Sequence, residues 1–260
     1  MSNFWQYFLQ SISFLTVLPV QPFIRYKKMG NDFLSKASWF FPLVGLLIGL
    51  ILFLAHECLQ WFGFDNKLSG ALILAIWIIL TGGLHLEGLA DMIDGFSGGK
   101  NKEEIIQIMK DGAIGAKGAI AVIMYLLIKW LLLCAVSVPM QSQSLLIVPV
   151  ISRWSMVLTG YWGRAASSNN TMTHLFVDHL GRKEVFISTL FVVGISLVFL
   201  SYHSFYLLFL AVIIVRVLIG YAHFRMGGIS GDIIGSVNEL TELLALLGFY
   251  FSFFIYPSLY

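Results

Sequence analysis

Eleven residues, His85-Leu86-Glu87-Gly88-Leu89-Ala90-Asp91-Met92-Ile93-Asp94-Gly95, hold three carboxylates directly after an apolar run long enough to span a membrane. On a helix Glu87, Asp91 and Asp94 fall at i, i+4 and i+7. At about 100° per residue they share an arc of roughly 60° on one face. Clustered negative charges repel unless a cation joins them, and oxygen-only ligands favour Mg²⁺ or Mn²⁺. Mg²⁺ in turn suggests phosphate chemistry. The alternative is a solvated helix start with acids near its positive end.

Three further groups fit the same chemistry. Lys110 and Lys117 are candidate phosphate partners as point charges, and Asp111 between them could ligate metal or orient a hydroxyl. Gly112, Gly115 and Gly118 recur where an apolar segment begins, so backbone N–H groups at that helix start could hold a phosphate. The alternative is an ordinary anchor with glycines serving helix packing. In Gly227-Gly228-Ile229-Ser230-Gly231-Asp232-Ile233-Ile234-Gly235, four glycines around one aspartate make a poor helix interior. They suit a backbone pocket at Gly228 and Gly231 with Asp232 directed at metal, or a simple re-entrant turn. Arg153 sits mid-span behind Pro149, where an unpaired arginine is costly, and either an acid or a substrate phosphate would satisfy it. Arg216 follows the same logic, and Glu239 and Glu242 lead into the last span. Lys129 is expected to snorkel, with no further role.

Histidines weigh less. His85 falls roughly opposite the acidic arc, so it is assigned to substrate binding rather than to metal. His174 and His179 lie in a polar loop; His56 and His203 read as interface residues, and His223 could be either. Asn169-Asn170-Thr171 matches a glycosylation sequon but falls on the expected cytoplasmic side.

The elements that must position these groups are membrane helices. The chain has 260 residues, is 58% hydrophobic and only 12% charged, and has mean hydropathy +0.84. A soluble domain carries about twice that charge. Seven spans are expected, at 39–61, 68–84, 113–136, 145–162, 185–200, 205–224 and 240–256. Phe4, Phe8, Ile12 and Leu15 recur at helical spacing and suggest an interfacial helix ending near Pro19, not a cleavable signal peptide. The fold class is therefore all-α, a polytopic helical bundle forming one domain over 1–260. Net charge +2 gives no argument for nucleic acid, and Cys58 and Cys134 lie in apolar runs as packing residues.

The loops are asymmetric. Arg25, Lys27, Lys28, Lys36, Lys100, Lys102, Lys110, Lys117, Arg164, Arg182, Lys183 and Arg225 fall on one side, and Lys67 alone on the other. The connections at 137–144 and 202–204 carry no Lys or Arg. The positive-inside rule puts the N-terminus and all the chemistry in the cytoplasm and the C-terminus outside. Acids and bases gathered on one side suit an enzyme using cytoplasmic substrates.

In this order the residues resemble the cobalamin synthase family, the adenosylcobinamide-GDP ribazoletransferases, over nearly the whole chain. Phe14-Leu15-Thr16-Val17-Leu18-Pro19-Val20 and Phe41-Pro42-Leu43-Val44-Gly45 are similar to its opening motifs. The acidic stretch is similar to its signature H-L-D-G-L-A-D-x-x-D-G. Met109-Lys110-Asp111 with Ile114-Gly115 and Gly118, and Gly227 to Asp232, resemble the later motifs. Glu87 replaces the usual aspartate, and Gly112-Ala113 stands where a polar or basic pair is common, which leaves Lys117 as the substitute phosphate contact.

The resemblance implies an inner-membrane, Mg²⁺-dependent transferase of a substituted phosphate group in vitamin B12 synthesis. It joins adenosylcobinamide-GDP to α-ribazole or its 5′-phosphate and releases GMP. On that reading Glu87, Asp91 and Asp94 hold the metal and Asp232 completes the site. Asp111 is the base, and Lys110 and Arg153 steady phosphate charge. Oligomers, or complexes with other nucleotide-loop assembly enzymes, stay open as partners, as do the preferred lower base and the number of metal ions. Two rivals remain. A CDP-alcohol phosphotransferase would need an arginine after its D-G-x-x-A signature, which Gly88-Leu89-Ala90-Asp91 lacks. A cation transporter would need acids near mid-span with access from both faces.

Overall fold

The computed structural model describes residues 3–25, 30–136, 138–167, 171–200 and 204–255. Lys27, Lys28, Asn169, Asn170, His203 and the expected span end at Tyr256 lie outside the described residues. Twelve α-helices are described: α1 (Asn3–Leu15), α2 (Phe33–Ala37), α3 (Phe41–Trp61), α4 (Asn66–Thr81), α5 (Leu84–Gly98), α6 (Lys102–Lys110), α7 (Ala116–Ala135), α8 (Val138–Trp162), α9 (Met172–His179), α10 (Arg182–Leu200), α11 (Ser204–Met226) and α12 (Gly231–Ile255). Among the described residues the sole β pairing is an isolated bridge between Ala165 and Ile229. Six helical stretches are long and apolar enough to cross a membrane, and the bent pair α4–α5 would be a seventh.

α8 is the hub. It packs against α3, α12, α10 and α11, and 94% of its apolar window is buried. A helix closed in on all sides has no lipid face to keep apolar, which is why α8 tolerates Ser144, Ser152, Arg153, Ser155 and Thr159. Small residues let α3 in close. A Cβ on Gly45 would lie 2.3 Å from the Pro149 carbonyl oxygen, and one on Gly49 would lie 2.8 Å from that of Leu145. Pro149 has no N–H for the Leu145 carbonyl, so the glycine face meets α8 where its backbone is locally unpaired.

Three boundaries differ from the sequence expectation, each for a local reason. Residues 138–144 belong to α8 rather than to an outer loop, because the Ser144 hydroxyl satisfies the Gln141 carbonyl and the Gln141 amide donates to Leu133. The last span starts at Gly231, not near Leu240. Its glycines do not break the helix, since Ser230 sits at its start with its hydroxyl 3.4 Å from the Ile233 N–H. The second expected span stops at Thr81. Gly82 and Gly83 both take left-handed φ, +65° and +69°, and α5 leaves at 88° to α4. A residue with a Cβ pays for that conformation, so the two glycines set the corner.

Candidate functional site

α5 carries the acids along one end of the bundle. Its neighbours are α12, α7 and α6. The helix ends at this level are the N-termini of α3, α7, α10 and α12 and the C-termini of α4, α8 and α11, as alternation of antiparallel spans requires. The loops after α8 and α11 are tied together here: Ile229 N–H donates to the Arg164 carbonyl at 2.7 Å, and Ala166 N–H donates to Ile229 at 2.9 Å.

Gly88 sets how close α5 and α12 come. A Cβ there would lie 3.0 Å from the Asp232 Cα, so the backbones touch between Glu87 and Asp91. Asp91, 6% exposed, feels the negative charges of Asp232, Glu87 and Asp94, while Asp232 feels Glu87 in turn. The acids are thus electrostatic neighbours, and one Asp232 oxygen accepts from the Ser230 hydroxyl at 3.1 Å. In the placement described, no three His, Cys, Asp or Glu side chains converge on one metal position among the described residues. The donor set is nevertheless oxygen-only, which suits a hard cation such as Mg²⁺ or Mn²⁺.

Asp94 has a definite task in the structure. Its two oxygens accept the backbone N–H groups of Gly115, at 2.8 Å, and Gly118, at 2.9 Å. It therefore occupies the α7 N-terminus that the sequence offered to a phosphate, and a carboxylate satisfies that positive end in the same way. A carboxylate has about four acceptor positions, so two remain for a cation. Replacing Asp94 with Ala strands those donors. We expect a loss of about 1–3 kcal/mol of local stability, seen as faster amide hydrogen exchange at 115 and 118.

The other candidates fall at different places. Lys110 ends α6 and Asp111 follows it; both are exposed. Lys117 is exposed and donates to the Ser97 carbonyl at 3.2 Å. Gly228 lies against Ala166, where a Cβ would meet its backbone nitrogen at 2.6 Å, so this glycine serves the loop pairing. Arg225, read from sequence only as an orientation charge, donates to the carbonyls of Phe96 and Gly99 at 2.9 and 3.2 Å and pins the C-terminal end of α5.

Beneath the acids lies a buried ionic cluster that the sequence reading did not assemble. Lys129 does not snorkel. It is 2% exposed, pairs with Glu242 and with Glu239 at 3.6 Å, and stands over the Trp77 ring at 4.1 Å. Arg153, offered to substrate phosphate, is fully buried and pairs with Glu242. Ser152 and Asn238 add hydrogen bonds to Glu242 at 3.2 and 3.3 Å. Two cations facing two carboxylates leave no net charge, which makes burial tolerable. Arg216 has another solution, lying 3.9 Å over the Trp162 ring. His56, near the end of α3, is 2% exposed, the His223 ring accepts from the Arg164 N–H, and His174 pairs with Asp178.

Above that cluster a cavity of about 200 Å³ opens. Its walls include Phe14, Phe41, Phe176, Met156, His85 and Asp232. Of the candidate acids only Asp232 lines it, so it links the acidic rim to an apolar recess. Gly88 and Gly231 line it as well.

A sequence model of the family described as cobalamin-5-phosphate synthase matches residues 7–250. Similar proteins include the adenosylcobinamide-GDP ribazoletransferase of Clostridium tetani, 35% identical over 251 residues, with 93% of this chain and 95% of that protein covered. Those of Caldanaerobacter subterraneus subsp. tengcongensis and Thermoanaerobacter sp. are 33% and 32% identical, each with 92% of this chain covered and with 95% and 94% of those proteins. No solved structure matches.

Proposed function

The chain belongs to the cobalamin-5-phosphate synthase family, and from that premise we propose how its geometry carries out the transfer. The protein is a polytopic membrane enzyme of cobalamin synthesis, an adenosylcobinamide-GDP ribazoletransferase. The observation that carries the mechanistic reading is the contact of α5 with α12, which sets Glu87, Asp91 and Asp232 beside a cavity at one end of the bundle.

A hydroxyl of α-ribazole, or of its 5′-phosphate, attacks the phosphorus joined to cobinamide. The new O–P bond forms as the bond to GMP breaks, and GMP leaves with the electron pair. The hydroxyl proton passes to a carboxylate. Asp232 lines the cavity and is better placed for this than the exposed Asp111. Mg²⁺ held by Glu87, Asp91 and Asp232, with spare acceptor positions on Asp94, would offset the diphosphate charge. Lys110 and Lys117, both exposed at this end, supply positive charge toward the nucleotide.

Orientation follows from charge. Lys100, Lys102, Lys110, Lys117, Arg164, Arg182, Lys183 and Arg225 share the acids' end, and Lys67 lies at the other. The positive-inside rule then places the site and the N-terminus in the cytoplasm. The test is to incubate the purified protein with adenosylcobinamide-GDP and α-ribazole. GMP and a complete corrinoid should form with Mg²⁺ and stop when EDTA removes it. Full activity in EDTA would overturn the metal assignment, and release of CMP from a CDP-alcohol instead would overturn the substrate.

A further inference from the structure

Among the described residues three cations stand well inside the spanning helices, and the fold settles two of them internally. Lys129 and Arg153 are 2% and 0% exposed, and each pairs with a carboxylate. Arg216 differs. It is exposed on the outer surface of α11, twelve residues from the start of that helix and ten from its end. Phe209, Ile213, Val217 and Phe224 on the same helix are apolar and exposed, as a surface against lipid requires.

Met226 ends α11 at the level of the acids, so the Arg216 backbone lies about 15 Å inside that end, half of a slab of about 30 Å. A charge at that depth is costly. The guanidinium, however, lies 3.9 Å from the centre of the Trp162 ring, and Trp162 is the last residue of α8, which reaches the same end of the bundle. The side chain thus runs toward the interface, as a long cation on a lipid face does, and meets there the residue type that favours headgroup level.

A ring face accepts few of the five guanidinium donors. Among the described residues no carboxylate pairs with Arg216 and no acceptor takes its N–H groups. The surroundings add positive charge. Arg164 follows Trp162 by two residues, and Arg182 and Lys183 open α10, which packs against α8; all three are exposed, beside a half-buried Glu184. A Cβ on Gly220, one turn beyond Arg216, would meet nothing within 4 Å, so the surface is open there. What this corner lacks is an anion at headgroup level, and a phosphate matches a guanidinium fork in shape and charge.

We propose that Arg216 and the Trp162 ring bind the phosphate of an anionic phospholipid in the leaflet at the acids' end. The lipid holds α8 to α11 just before the loops that follow them pair through Arg164, Ala166 and Ile229, three residues ahead of Asp232. The site is independent of the reaction that the protein performs.

The test uses the full-length protein in nanodiscs of phosphatidylcholine with and without phosphatidylglycerol, and native mass spectrometry to identify the lipid that stays bound on release. Wild-type protein should hold phosphatidylglycerol about tenfold more strongly than phosphatidylcholine. Arg216→Gln should lose that preference, and Arg216→Lys should keep part of it. Trp162 fluorescence, taken as the difference between wild type and Trp162→Phe, should be quenched by brominated phosphatidylglycerol more than by brominated phosphatidylcholine. That measurement decides the matter if Arg216→Gln is poorly recovered, and equal quenching overturns the proposal. Equal retention of phosphatidylglycerol by wild type and Arg216→Gln overturns it as well. So does displacement of the lipid by inorganic phosphate, which would make the site one for a soluble anion. A change from dimer to monomer in Arg216→Gln with lipid retention unchanged would make this face a contact between copies, and overturns it too.

Discussion

Asp91→Asn and Asp232→Asn should each lower GMP release by about 10³-fold in protein that is otherwise well folded. Asn keeps the shape of each side chain and removes its charge. The diphosphate of adenosylcobinamide-GDP is anionic, and the incoming oxygen gathers charge as it attacks. On the proposed mechanism a hard cation between α5 and α12 would offset both, with an affinity that depends on the sum of the carboxylate charges. Asp91 is the most enclosed of the acids on α5 and stands among three other negative groups, so it gains most from a cation. On the proposed mechanism Asp232 would also take the hydroxyl proton. Turnover measured by GMP release, alongside gel filtration of each variant, decides the matter. Turnover within tenfold of wild type would remove both residues from the chemistry.

Glu242→Gln should act on folding. Glu242 is fully buried and faces both Lys129 and Arg153. Neutralising it leaves Lys129 with Glu239 alone and Arg153 without its carboxylate, one uncompensated positive charge where water cannot reach it, and breaking a buried pair in this way destabilises by about 3–5 kcal/mol. The expected result is poor recovery of monodisperse protein and a lower unfolding temperature. The double variant Lys129→Met with Glu242→Gln removes one charge of each sign and leaves Arg153 with Glu239, so most of the stability should return. A Glu242→Gln protein as stable as wild type would show that the cluster is not a balanced unit.

Much of this was legible in the residues. The acidic face of α5 followed from spacing alone, and the seven apolar runs correspond to six spanning helices and one bent pair. What the chain did not reveal is pairwise. Lys129 looked like a snorkelling residue because its partners lie 110 and 113 positions away, on α12. A signal was present: two mid-span cations and a Glu239–Glu242 pair at i, i+3 have to neutralise each other somewhere. Asp94 was legible as an acid but not as the cap of a helix that begins 22 residues later. The cavity was not legible at all, since Phe14, Phe41 and Phe176 come from three separate elements and read individually as core.

The corner at Gly82-Gly83 has a mechanical outcome. α4 has 16 residues, a rise of about 24 Å, against a hydrocarbon slab of about 30 Å. A helix that falls short of the slab draws the leaflet inward around itself. The acid-bearing arm is hinged to the end of this short helix, so a change in bilayer thickness acts on its depth. Turnover compared in bilayers of shorter and longer acyl chains should therefore differ.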